Sequence, residues 1–247
     1  MTTDSLSVSA LGIARGVVVT VFTHPIDTVR YHLQTSPEKL QCRDVIKTIW
    51  QRSSFRGFYG GLTPHLGKTV LKQAWLWPMI AGVPARLEKH GIESPYKEVL
   101  TGIAIAFVDA AITTPFEKAK ITGAAQGQKI SWQSLRKGWT GTTTNFARLS
   151  VTMSTFLVTQ ERLRRHYSQK SHSLAFSELA KIGVITAIVV SIVSAPFDAA
   201  NTRKQTDTKS IKLFTRPYRG FPCYFTTLVI QNMASAWLID YLARRKV

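Results

Sequence analysis

The fold is decided by residues 12–30, GIARGVVVTVFTHPIDTVR, where an apolar, glycine-bearing run ends in the step Pro25-Ile26-Asp27. The same step recurs at Pro115-Phe116-Glu117 and Pro196-Phe197-Asp198. Thirteen residues before each proline stands a glycine (Gly12, Gly102 and Gly183), and four residues after each glycine a second small residue (Gly16, Ala106 and Ala187). A third mark follows the acids: Tyr59-Gly60-Gly61, Trp139-Thr140-Gly141 and Tyr218-Arg219-Gly220. The prolines lie 90 and 81 residues apart and the closing glycines 80 and 79. One Pro-x-acid step is commonplace. Three in phase with two further marks define an internal repeat, and a fixed period governs the architecture.

Each repeat is expected to hold two long helices joined by a short amphipathic one. The odd helices are predicted over 8–34, 98–125 and 178–205, and the even ones over 62–88, 142–166 and 221–244. In the first connection Val45, Ile46, Ile49 and Trp50 recur at helical spacing within the basic stretch Cys42 to Arg52. Segments such as 17–22 and 182–193 are apolar enough for a bilayer core. No run of twenty purely apolar residues occurs, which suits helices with one face to lipid and one to a wet cavity. The Gly-x3-small pairs let helix backbones approach closely where no hydrophobic force acts between them. Proline within each odd helix is expected to kink it.

Composition sets the outer limits. The 247 residues carry 32 Lys and Arg against 14 Asp and Glu, a net charge of +18, with a mean hydropathy of zero. That balance suits an anionic partner: a nucleic acid, an anionic lipid surface or an anionic solute. Zinc spacing, RNA-binding aromatic motifs and a basic helix cluster are all missing, so nucleic acid is not an expected partner. The two cysteines and six histidines have no metal-ligand spacing, and no nucleophile–base or paired-carboxylate setting stands out. No metal, cofactor or catalysis is therefore expected. Residues 1–10 hold no basic residue, so a cleavable presequence is not expected either.

These motifs resemble those of the mitochondrial carrier family, with Pro-x-[Asp/Glu]-x-x-[Lys/Arg] and then aromatic-[Lys/Arg]-Gly in each of three repeats. The resemblance runs from Gly12 to about Arg244. It implies an all-α membrane protein, a single carrier domain of six transmembrane helices in a three-fold pseudosymmetric barrel, with repeats near 8–90, 96–168 and 175–247. It also implies a multi-pass monomer of the mitochondrial inner membrane, with one central substrate site between two gates. Anionic lipid such as cardiolipin is expected at the helix N-termini that follow Gly61, Gly141 and Gly220.

In the matrix gate of the family, the acid of each repeat pairs with the base of the next. Asp27 is then expected to meet Lys120, and Asp198 to meet Arg30, while Glu117 faces Asn201, where a base is expected. Gln34 and Gln205 resemble the glutamines that brace such pairs; repeat two has Ala124 instead. The cytoplasmic gate is eroded further: Glu161 and Arg164 remain on the fourth helix, Asp240 on the sixth, and nothing on the second. With fewer latches on that side, the empty carrier is expected to rest open to the cytoplasm.

Seven residues past the closing glycines lie the positions corresponding to the family's substrate contacts: Lys68, Arg148 and Thr227. Lys72, Thr152 and Gln231 lie four residues further on, with His65, Asn145 and Tyr224 three before, all nine on one face of their helices. Of these, Lys68, Lys72, Arg148, Asn145, Thr227 and Gln231 are the expected substrate ligands. Basic residues in mid-membrane face a cavity or a partner, and Asp109 is an intramembrane acid within reach of pairing. Three cations point to a small anion. On charge alone a nucleotide such as ATP or ADP leads, with antiport as the expected mode; a carboxylate or keto acid is the alternative, because Arg148 resembles the contact of such carriers. A basic membrane protein that does not transport is the reading from another class.

Overall fold

The computed structural model describes residues 2–36, 38, 40–126, 138–168, 176–206 and 215–245, and every regular element among them is helical. The long helices are α1 (Thr2–Thr35), α3 (Leu62–Lys89), α4 (Tyr96–Gln126), α5 (Thr142–Ser168), α6 (Phe176–Gln205) and α7 (Phe221–Arg245). The expected ends fall within a few residues, apart from the first helix, which begins nearer the N-terminus. A short helix α2 (Cys42–Ser53) and a single 3-10 segment (Ser54–Tyr59) link α1 to α3. The equivalent short helices expected in repeats two and three fall on 127–137 and 207–214, outside the described residues.

Each long helix packs on the next in chain order, and α7 packs back on α1, so six helices close a ring. At 25 residues or more, each spans roughly 37 Å, above the ~30 Å of a hydrocarbon core. The odd helices α1, α4 and α6 are apolar enough to cross by hydropathy alone. Among the described residues the even helices do not reach that hydropathy; α3 and α5 carry Lys68, Lys72 and Arg148 to the cavity. Val18, Phe22, Phe107, Ile112, Ile188 and Ile192 are exposed on the outer surface, while Thr20, His24, Asp27, Lys68 and Asp198 are buried inside. This polarity runs opposite to that of a water-soluble bundle and accounts for a mean hydropathy of zero.

Within each repeat the early glycine seats the odd helix on the even one. A Cβ at Gly102 would stand 2.5 Å from the Ser154 nitrogen, and one at Gly183 would stand 2.8 Å from the Met233 Cα. Gly12 abuts the Trp77 indole in the same way. Between repeats the closing glycines do the joining. Gly61, Gly141 and Gly220 all hold a positive φ, of 77°, 86° and 78°, at the start of an even helix. Gly61 lies against the Lys120 carbonyl of α4, Gly141 against Gln205 of α6, and Gly220 against Arg30 of α1. The contacts therefore pass from repeat one to two, two to three, and three back to one.

The odd helices run unbroken through Pro25, Pro115 and Pro196. A proline cannot satisfy the carbonyl four residues before it. In α6 that carbonyl belongs to Ile192, and it accepts from the Tyr218 hydroxyl at 3.4 Å, so the aromatic of the closing mark covers the proline's orphan. In α2, Val45 and Ile49 are buried against Val29 and Leu33, while Ile46 and Trp50 point outward. Its first turn is closed by the Gln41 backbone N–H donating to Asp44 at 3.2 Å.

Candidate functional site

The ring encloses a cavity of about 210 Å³. Its floor is the layer of Pro-x-acid residues. Lys120 meets Asp27 at 3.4 Å and Arg30 meets Asp198 at 3.8 Å, which are the two inter-repeat pairs expected. Arg30 also reaches Asp27 of its own helix at 3.2 Å. Its guanidinium lies between the Tyr31 and Tyr224 rings, 4.7 and 5.0 Å from their centroids, and donates to the Tyr31 hydroxyl at 2.8 Å. Gln34 donates to Asp198 at 2.9 Å, so it braces that pair. Gln205 departs from expectation. It is fully buried, its amide bonds nothing among the described residues, and it packs beside Gly141.

The third corner also differs. Asn201 does not reach Glu117; its carbonyl oxygen accepts from Thr144 at 3.3 Å. Glu117 is held instead by Lys68 on one oxygen and by Arg148, at 3.3 Å, on the other. Arg148 extends further to Asp198 at 3.8 Å. A neutral amide cannot neutralise a buried carboxylate, and a cation within reach lowers its energy far more. Two of the expected substrate-contact residues thus supply the charge that position 201 lacks.

The remaining contact positions divide. Lys72 is committed to Asp109 at 2.6 Å, and Asp109 is further fixed by the Thr113 hydroxyl at 3.0 Å. Thr227 lines the cavity and donates to Asp27 at 3.4 Å. Gln231 lines it too, and its backbone carbonyl accepts from Arg15 at 3.2 Å. Asn145 turns away: it is fully buried, donates to Thr114 at 3.1 Å, and accepts from Arg148 at 2.8 Å. It therefore positions Arg148 rather than facing the cavity.

Of the second set of latches, Glu161 bonds Arg165 of its own helix at 2.7 Å, not a residue on a neighbouring helix. That pair is largely exposed and lies within one helix. Arg164 is half-buried on the same helix, and the Asp240 side chain lies outside the described ones.

Sequence reasoning passed over Arg15, which lines the cavity well above the floor. The signal was available: it is the one charged residue between Gly12 and Phe22, in a helix apolar enough to span a membrane. His65 was counted on the contact face. Its bond to His24, 3.0 Å between Nδ1 atoms, could not be foreseen because the two rings lie 41 residues apart.

A family model described as mitochondrial carrier protein matches residues 3–90. The human mitochondrial basic amino acids transporter is 28% identical over 218 residues, covering 79% of this chain and 70% of the relative. The rat mitochondrial 2-oxodicarboxylate carrier is 26% identical over 235 residues, covering 79% and 74%. The mitochondrial aspartate-glutamate transporter AGC1 of Saccharomyces cerevisiae is 23% identical over 232 residues, covering 83% of this chain and 26% of that longer protein. Residues 3–90 thus match the mitochondrial carrier model, and over most of its length the chain is similar to mitochondrial carriers at low identity, in keeping with the three in-phase repeats and the closed six-helix ring.

Proposed function

We propose that the protein carries a small carboxylate across the mitochondrial inner membrane by alternating access, with Lys68 and Arg148 as the groups that bind it. The observation that carries this reading is the capture of Glu117 by those two cations. An entering carboxylate offers the same charge as the gate acids, and it can take both terminal nitrogens of Arg148 at once, where Glu117 and Asp198 each take one. As it binds, it takes Lys68 and Arg148 from Glu117 and Asp198. Between repeats the floor then keeps Asp27–Lys120 and Arg30–Asp198, and a latch of this few pairs opens readily. Binding energy is in this way converted into release of the floor, because the ligand favours one of two arrangements of the same charges.

A carboxylate is favoured over a nucleotide on two grounds. Six cations line the cavity (Arg15, Arg30, Lys68, Lys72, Lys120 and Arg148), and four carboxylates (Asp27, Asp109, Glu117 and Asp198) lie among them. Two positive charges remain, which suits a dianion better than a polyphosphate. The cavity of about 210 Å³ also lies below the roughly 300–1,000 Å³ of pockets that hold drug-sized ligands. The relatives are named for basic amino acids, 2-oxodicarboxylates and aspartate-glutamate, and none of those reported is named for nucleotides. The nucleotide expectation therefore gives way to its alternative.

The test is uptake into proteoliposomes of labelled 2-oxodicarboxylates, aspartate, lysine and ADP, with internal solute present or absent to separate exchange from one-way transport. Carboxylate uptake that falls with Arg148→Ala and with Lys68→Ala supports the reading. Uptake of ADP alone, or carboxylate uptake indifferent to both substitutions, defeats it.

A further inference from the structure

The cavity's cations are unequal. Arg30, Lys68, Lys72, Lys120 and Arg148 each lie within 4 Å of a carboxylate. Arg15 does not: among the described residues it has no ion pair. One of its terminal nitrogens donates to the Gln231 carbonyl at 3.2 Å, and its guanidinium lies 5.7 Å from the Trp77 ring centroid. Its Nε is buried and bonds nothing among the described residues. The next residue after Gln231 is Asn232, which also lines the cavity, and its Nδ2 is a second buried donor with no acceptor. A cation without a counter-charge within 4 Å, and an orphaned amide donor lining the same cavity, leave this part of it short of an anionic acceptor.

Arg15 also sits apart from the floor. It precedes Asp27 by twelve residues on α1, roughly 18 Å along the axis. Trp77, on which it stacks, lies nine residues past Lys68 on α3, roughly 13 Å along that helix. The two residues it contacts, Trp77 and Gln231, are neutral, as is Asn232, which follows Gln231 in the chain.

We propose that Arg15 and Asn232 form a separate carboxylate-binding subsite, the first docking point of the solute on its way to Lys68 and Arg148. This rests on the carboxylate reading above and deepens it. In the resting state every lower cation is already matched to a protein carboxylate, so an incoming anion must displace one to bind there. At Arg15 it displaces none. Capture at the upper subsite holds the solute above Lys72 and Arg148, where it then competes for the cations of Glu117 and Asp198. The subsite selects for a carboxylate before the floor is disturbed, and it rejects a cation that carries no carboxylate.

The experiment is initial-rate uptake of carbon-14-labelled 2-oxoglutarate and aspartate into proteoliposomes by the full-length wild type, Arg15→Gln, Arg15→Lys, Asn232→Ala and Arg148→Ala. Loss of one charge-assisted hydrogen-bonding group predicts a KM raised about ten- to a hundred-fold in Arg15→Gln, with Vmax changed little. Arg15→Lys, which keeps the charge, recovers most of that loss, and Asn232→Ala raises KM more modestly. The melting temperature of each purified variant is measured alongside, so that Arg15→Lys reports on charge if Arg15→Gln folds poorly. An unchanged KM in Arg15→Gln, while Arg148→Ala abolishes uptake, overturns the docking role and leaves the transport reading standing. A fall in Vmax alone, equal in Arg15→Gln and Arg15→Lys, assigns Arg15 to packing on Trp77 and overturns the subsite. Absence of uptake of either solute by the wild type overturns both.

Discussion

Lys68 holds one oxygen of Glu117 while Arg148, at 3.3 Å, holds the other, although neither occupies the position that the repeat pattern assigns to Glu117's partner. A residue of the substrate face and a residue of the floor are thereby parts of one charged network. The arrangement follows from the loss of a base at Asn201. A buried carboxylate stripped of its partner either finds another cation or raises the energy of the fold by several kcal/mol. The even helices present two cations within reach, and the floor closes with them.

The network predicts that Glu117→Gln strengthens binding of the solute. Lys68 and Arg148 then no longer have to leave a carboxylate, and the apparent KM should fall about ten-fold, equivalent to ~1.4 kcal/mol. Uptake kinetics check this. A KM that rises in Glu117→Gln would show that the carboxylate assists binding rather than opposing it.

Energetic coupling should be visible without any substrate. Residues in one ion-pair network typically show interaction energies of about 0.5–3 kcal/mol. Thermal unfolding of Lys68→Met, Glu117→Gln and the double variant in detergent measures the term, and additive effects would count against a shared network.

Charge exchange between Asp27 and Lys120 tests the floor itself. Either single reversal (Asp27→Lys or Lys120→Asp) places like charges face to face in a buried layer, and transport should be lost. The double reversal restores the attraction across 3.4 Å and should recover a substantial part of the rate. Failure to recover, in a variant that still folds, would point to Arg30 and Thr227 as the dominant partners of Asp27.

Packing of the odd on the even helices predicts a contrast among glycines. Gly183→Ala drives a methyl onto the Met233 backbone, 2.8 Å away, and should destabilise the ring by at least ~1 kcal/mol. Gly82→Ala adds a methyl where nothing lies within 4 Å, and should be neutral or stabilising because alanine is the better helix former. Melting temperatures of the two variants, compared with wild type, decide the matter.

Glu161→Gln should leave both stability and uptake close to wild type, within about 0.5 kcal/mol in stability, because its pair with Arg165 is solvent-exposed and lies within one helix. A large effect on the direction or rate of transport would restore Glu161 to an inter-helix latch in another state of the carrier.

The repeat, the six long helices with all their bounds but the start of the first, and the Pro-x-acid residues of the floor were legible in the sequence alone. Those features are local. A glycine that needs positive φ, a proline that lacks an N–H and a small residue at a helix crossing act through the chain's own covalent geometry, so their spacing can be counted along it. Asp27–Lys120 and Asp198–Arg30 were legible for the same reason, since the ring is the repeat copied three times. What only the tertiary structure decided is how unequal corners share their charges. Glu117 was left facing an amide by the repeat pattern, yet it took Lys68 and Arg148 because a buried carboxylate is stabilised by any cation that closure brings near. Asn145, counted on the contact face by its spacing, spends its hydrogen bonds on Thr114 and Arg148 instead. Arg15 entered the cavity although no motif marks it. Which face of a lone arginine's helix looks inward depends on the neighbours that the ring supplies, and those neighbours lie more than sixty residues away in the chain.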